Sequence, residues 1–230
     1  MSKRIALIGL DGSGKSANIE KMKKDQDYAY YNFVWVRWKP TLLKPAYILL
    51  ERRVSKKNNG TDNVIAVDGK TGKKQAEMNA DYNVKSGIKG KIFKNPIIRT
   101  VWMFLALLDY FFQFYIKVIP ILLSRKGIIF DRFFLDLFVD QGINFGFSAN
   151  RIKKEINKHK FLFPGIDKYV YIRVSPETCY NRKNDIPNMN YLNKRYEIYE
   201  CLSNEKQWFI VDGEKPFEEV NAQIKQIILK

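Results

Sequence analysis

The octet Gly9-Leu10-Asp11-Gly12-Ser13-Gly14-Lys15-Ser16 constrains this chain more than any other segment. It has the form G-x-x-x-x-G-K-[ST]. The short apolar run Arg4–Ile8 precedes it, and a nearly glycine-free stretch of helical character follows. Strand, glycine turn and helix in this order make a phosphate cradle. Glycines let successive backbone N–H groups turn inward, and the helix N-terminus adds partial positive charge. Gly9, Asp11, Gly12, Ser13 and Gly14 form the expected binding loop. Lys15 then reaches the β- and γ-phosphates of a nucleoside triphosphate, and the Ser16 hydroxyl ligates Mg²⁺.

The rest of the chain supports one α/β domain. Its 230 residues, 46% of them hydrophobic, can fill one core. Cys179 and Cys201 share no metal spacing and support no disulfide framework. The lone histidine, His159, sits in a basic run and reads as a surface residue. Met1-Ser2-Lys3-Arg4 leads straight into the loop strand without a leader pattern, so the expected location is the cytoplasm. The formal charge of +16 admits nucleic acid, an anionic membrane or acidic small molecules. It is spread along the chain, and no zinc finger, RNP-type signature or basic zipper accompanies it; no specific nucleic acid is expected.

Alternating β-rich runs and helical stretches indicate a three-layer fold, a five-stranded parallel sheet with helices on both faces. The expected strands are Arg4–Ile8, Phe33–Trp38, Gly127–Asp131, Lys168–Val174 and Trp208–Asp212. Helices are expected at Lys15–Lys24, Leu42–Val54, Ile97–Ser124, Phe134–Gln141, Asn150–Lys158, Pro176–Arg182, Tyr191–Ser203 and Pro216–Leu229. Ser55–Lys91, with eight lysines against four acids, reads as an inserted polar loop. Ile97–Leu123 is long enough to cross a bilayer, but Arg99, Asp109, Gln113 and Lys117 interrupt it. A helix beside the sheet is the preferred reading. A peripheral membrane contact and a homodimer both stay open.

Two further signals lie downstream. Asp131-Arg132 follows a strand directly, where ligands of open parallel sheets bind. Asp131 there can hold Mg²⁺, and the planar Arg132 fork can bridge phosphates. Cys179–Asp185, with Arg182 and Lys183 ending a short helix, reads as a basic lid, and Arg195 is a second source of its charge.

Taken together, GLDGSGKS at Gly9–Ser16, GIIFDRF at Gly127–Phe133, YIRVSPET at Tyr171–Thr178, Arg182-Lys183 and FIVDGEKPFEEV at Phe209–Val220 resemble thymidylate kinase and related P-loop nucleoside monophosphate kinases. The resemblance implies a P-loop kinase with a short basic lid, using ATP and Mg²⁺. It implies that Asp11 reaches the acceptor's sugar, that Lys15, Asp131 and Arg132 act between donor and acceptor, and that Arg182 supplies lid charge. Three segments depart from the family: Arg37-Trp38-Lys39-Pro40, Leu108-Asp109-Tyr110-Phe111, where Tyr110 replaces an acceptor-binding arginine, and the stretch bearing Asp136 and Asp140. The pattern looks like a divergent group associated with surface-polysaccharide genes. An acceptor other than dTMP is expected, one bearing hydroxyls or positive charge if both aspartates face it. A non-catalytic ATP-binding module and a membrane-peripheral kinase of a polysaccharide or lipid-linked acceptor are the alternatives; a pure sensor would need only the phosphate loop.

Overall fold

The computed structural model describes residues 3–41, 43–45, 79–80, 82–83, 86–87 and 89–230. Five strands, β1 (Arg4–Ile8), β2 (Tyr31–Trp35), β3 (Gly127–Asp131), β4 (Lys168–Arg173) and β5 (Trp208–Asp212), form one parallel sheet in the order β2-β3-β1-β4-β5. β1 is central. Residues Ile5 to Ile8 are buried, as a strand covered on both faces requires.

The helices are α1 (Lys15–Lys24), α2 (Pro96–Leu122), α3 (Phe134–Asn144), α4 (Ala149–His159), α5 (Pro176–Arg182), α6 (Met189–Leu202) and α7 (Phe217–Leu229). Capping follows the sequence. Asn95, Ser148, Ser175 and Asn188 each accept a backbone N–H at the start of their helix, and Pro176 occupies a first-turn position that needs no N–H. α1 and α7 meet through Asn18 and Asn221. On the other side, α2 buries Trp102, Ala106, Leu107, Tyr110, Phe114 and Val118. Phe114 is the hub there, packed against Tyr110, Phe130, Phe133 and Phe163. Among the described residues α2 is the one helix long and apolar enough to cross a membrane, and this buried face ties it to the core.

Three expectations change. β2 runs Tyr31–Trp35, not Phe33–Trp38. Its register pairs Trp35 with Asp131, the last residue of β3, and one final bond runs from the Val36 N–H to the Asp131 carbonyl. Beyond it, Arg132 turns to φ +67° and the partner strand is gone. α3 passes through Gly142 instead of stopping before it, because Ile152 of α4 fills the space where a β-carbon would stand. The inserted loop shrinks at its end: the described residues between 79 and 92 are helical, and Phe93 packs with Trp102 and Phe145 in a small satellite core. The rest of that segment, and nearly all of the helix expected at Leu42–Val54, lies outside the described residues.

Truncating the α2 hub tests this packing. Phe114→Ala should cost about 3–5 kcal/mol in urea unfolding, since it empties a fully buried aromatic site. A loss under about 1 kcal/mol would contradict the described packing of α2.

Candidate active site

The phosphate loop leaves the carboxyl end of the central strand and enters α1. Gly14 sits at φ +85° as the residue before the helix. Gly12 has φ +90°, and a β-carbon there would come within 2.5 Å of the Cys179 carbonyl oxygen. The loop is thus pressed against α5, and only glycine fits. Ser13 is buried, whereas Ser16 is exposed with its hydroxyl at the helix start.

Lys15 is buried, and its Nζ donates to the carbonyls of Gly9 (2.7 Å) and Leu10 (2.6 Å) and to Ser13 Oγ (3.2 Å). Burial, with repulsion from Arg132 next, lowers its pKa to about 8 although Asp11, Asp136 and Asp131 pull the other way.

Arg132 joins the loop to the rest of the site. It pairs with Asp11 and lies 3.5 Å from Asp136 of α3. Burial alone would raise the Asp11 carboxyl, but Arg132, Lys15 and a hydrogen bond from Tyr191 hold it well below the usual carboxylate range. The Tyr191 hydroxyl donates to Asp11 across 2.8 Å. Asp136 also accepts from the Tyr199 hydroxyl at 2.5 Å. Beside them, burial pushes the Asp131 carboxyl up, against the pull of Lys15 and Arg132. Among the described residues no three His, Cys, Asp or Glu side chains cluster to hold a metal. Mg²⁺ on a triphosphate keeps several waters and needs only one or two protein ligands. Ser16 and Asp131 fit that requirement.

Beyond Asp11 the site opens into a cavity of about 290 Å³. Aromatic walls come from Trp38, Tyr82, Phe93, Trp102 and Tyr191, with amides from Gln141 and Asn144. Among the described residues four cations line it, Arg37, Lys39, Lys89 and Arg195, against one acid, Asp140. Arg195 binds Asp140 at 2.5 Å and stacks on Tyr191 at 3.6 Å. A larger cavity of about 350 Å³ lies between α2, α3 and α4; no phosphate-loop residue is among the described lining of either, and Tyr191 lines the smaller one. The smaller one shares Tyr191 with the loop's own hydrogen bonds and is the candidate acceptor site.

The wall after β2 is braced from behind. Buried Asp109 accepts from Trp38 Nε1 (3.2 Å), the Thr41 N–H (3.0 Å) and the Thr41 hydroxyl (2.6 Å).

Several sequence expectations are corrected here. Tyr110 does not line the pocket; it is buried and donates its hydroxyl to the Val36 carbonyl at 2.9 Å. Asp136 is consumed by Arg132 and Tyr199, and Asp140 by Arg195, with Arg37 at 4.0 Å. Neither leaves the acidic surface that would favour a cationic acceptor. Arg182 is exposed, its guanidinium donating to the Gly213 carbonyl beyond β5 at 3.1 Å. Arg195, the second expected source of lid charge, lines the pocket and is held by Asp140. His159 is half-buried against Phe138 and not a plain surface residue. Tyr82, Tyr191 and Lys89 escaped sequence reasoning altogether; a tyrosine opposite the loop acid leaves no spacing signal.

No family model matches the chain, and no curated protein matches it by sequence. Among solved structures it is similar to deoxyadenosine kinase from M. mycoides with bound dATP. The two share 17% identity over 99% of this chain and 100% of that one, with a TM-score of 0.50. The chain shares the α/β fold of that structure, a parallel sheet with helices around it. At this identity the likeness is one of architecture.

Removing the bridging cation should expose the electrostatics. Arg132→Ala leaves Asp11 and Asp136 buried without it and should lower stability at neutral pH by about 3 kcal/mol or more. Asp11, with its depressed pKa, stabilises the wild type above the unfolded carboxylate value and loses that contribution as pH falls. In the variant that stabilisation is already missing, so the gap between the two proteins in urea unfolding should hold its size down to about pH 4 and narrow as pH falls below it. A gap that stays constant would refute the buried pair.

Proposed function

We propose that this chain is an ATP- and Mg²⁺-dependent phosphotransferase that moves the γ-phosphate to a small acceptor. The carrying observation is the bridge at Tyr191: its hydroxyl donates to Asp11 of the phosphate loop, and its ring lines an aromatic, cation-lined pocket. The structural neighbour binds dATP, which accords with a purine triphosphate as donor.

In this reading the amides of the loop and Lys15 hold the β- and γ-phosphates, and Ser16 and Asp131 hold Mg²⁺. The metal, when bound, neutralises charge on the transferring group. Arg132 stands between donor and acceptor and meets the developing charge with a fork already oriented by Asp11 and Asp136. Arg182, at the end of α5 against which the phosphate loop packs, adds lid charge.

The acceptor pocket defines a substrate class. Its excess of cations suits an anion, and its aromatic walls and amides suit a flat, hydrogen-bonding ring. The finer reading is a divergent thymidylate-kinase-like enzyme acting on an acceptor other than dTMP. Tyr110 faces the core, so the anion-binding charge comes from Arg37, Lys39, Lys89 and Arg195, on different segments from the family arginine. ADP release should be measured with ATP, Mg²⁺ and a panel of nucleosides, nucleoside monophosphates and sugar phosphates. An anionic, ring-bearing acceptor should turn over fastest; dTMP, though of that class, should be slow, because the cations that would hold its phosphate sit on other segments than the family arginine. Rapid turnover of dTMP would make the chain an ordinary thymidylate kinase, and a preference for uncharged nucleosides would refute the charge argument.

Lys15 supplies a second test. Its lowered pKa of about 8 leaves much of it neutral in the free protein at mildly alkaline pH, and a bound triphosphate restores its charge. Binding of MgATP should therefore take up a fraction of a proton near pH 8.5 and almost none from Lys15 near pH 6, read by calorimetry in buffers of different ionisation enthalpy. The uptake should vanish in Lys15→Ala. Equal uptake in that variant would remove Lys15 from the phosphate site.

A further inference from the structure

The cavity between α2, α3 and α4 holds about 350 Å³, within the size range of small-molecule sites, and the proposed phosphoryl transfer makes no use of it. Its lining is of two kinds. Met103 and Leu107 of α2, Phe138 of α3, Phe145 at the end of α3 and Ile152 of α4 make an apolar floor. Four of these five are buried in the core, and Met103 is a side chain that adapts to what it meets.

Positive charge gathers at one end. Arg99 of α2 and Arg151 of α4 reach the ring of Phe147, at 4.9 Å and 3.7 Å from its centroid, and all three residues line the cavity. Among the described residues neither guanidinium pairs with a carboxylate; Arg99 donates to the Phe93 carbonyl at 3.5 Å. Elsewhere Arg132, Arg173 and Arg195 are each bound by an acid. Lys158 adds a further cation to the lining, and Glu155, its one acid among the described residues, lies toward His159 at 4.0 Å.

Two like charges on one ring repel each other, and an oxyanion between them reverses the sign of the interaction. The planar fork of arginine suits carboxylate and phosphate, which it binds through parallel N–H groups. An apolar body attached to that oxyanion then covers the floor. We infer that this cavity binds a small amphiphile, an apolar body bearing a carboxylate or phosphate head, with the head at Arg99 and Arg151. From Arg99 to Leu107 the helix advances roughly 12 Å, which suits a single short alkyl chain. The site is separate from the acceptor pocket. Phe145 lines this cavity and Phe93 and Trp102 line the other, with ring centroids 4.8 Å apart for Phe93 and Phe145 and 5.8 Å for Phe93 and Trp102.

Calorimetric titration of the full chain tests it, with octyl phosphate, octanoate, octanol and inorganic phosphate, each below its aggregation concentration. One or both octyl anions should bind about tenfold or more tightly than octanol and than inorganic phosphate, and the better of the two identifies the head group. Arg99→Gln and Arg151→Gln should each weaken that binding about tenfold with unchanged circular dichroism. Arg151 is exposed, so its variant reads the site even if Arg99→Gln fails to fold. Arg195→Gln, in the acceptor pocket, should leave the affinity as it is. No binding of either octyl anion, equal binding of octanol or of inorganic phosphate, unchanged affinity in Arg151→Gln, or a loss confined to Arg195→Gln would each overturn the inference.

Discussion

The site depends on one buried cation. Arg132 leaves the end of β3 in a left-handed backbone conformation that costs a non-glycine residue about 1–2 kcal/mol. That turn aims its guanidinium back at the phosphate loop, where Asp11 receives it, with Asp136 of α3 on its other side. Strain at such a position persists only where surrounding structure holds it. Here the holding is ionic and reciprocal. The two carboxylates offset the cost of burying Arg132, and Arg132 keeps Asp11 charged within the loop.

The same contact orders the chemistry in space. Asp11 looks back to Lys15 and the donor phosphates and forward, through Tyr191, to the pocket of Trp38 and Arg195. The sheet makes this economical: in the order β2-β3-β1-β4-β5 the segments after every strand reach one edge, where open α/β sheets bind ligands. In the proposed function the loop after β1 supplies the donor site, the end of β3 supplies Asp131 and Arg132, and the turn after β2 supplies a wall. Asp109 braces that wall from α2, which shapes the pocket in advance of any ligand.

Legibility in the sequence followed the range of the physics involved. The phosphate loop, Asp131-Arg132, Ser175-Pro176 and four of the five strands are local patterns, and the structure places them within a residue or so of expectation. β2 slipped because its end is set by where its neighbour β3 stops, which its own residues do not record. The helical residues described between 79 and 92 were hidden by lysines and glycines; Phe93, next to them, packs against Trp102 and Phe145 far along the chain. The acceptor pocket was least legible. Its walls come from separate segments, and the charges of Asp136 and Asp140 acquire their meaning only with Arg132 and Arg195 beside them. Spacing along α3 could not reveal those partners.

The central claim is that the loop at Gly9–Ser16 receives the donor and the pocket beyond Asp11 receives the acceptor. A crystal structure with a non-hydrolysable ATP analogue and Mg²⁺ tests it most directly. The account predicts phosphates on the loop amides, Lys15 Nζ moved from the Gly9 and Leu10 carbonyls onto them, the terminal phosphate facing Asp131 and Arg132, and the aromatic pocket still open. A nucleotide whose base fills the pocket of Trp38 and Tyr82, with Lys15 left on its two carbonyls, would contradict it.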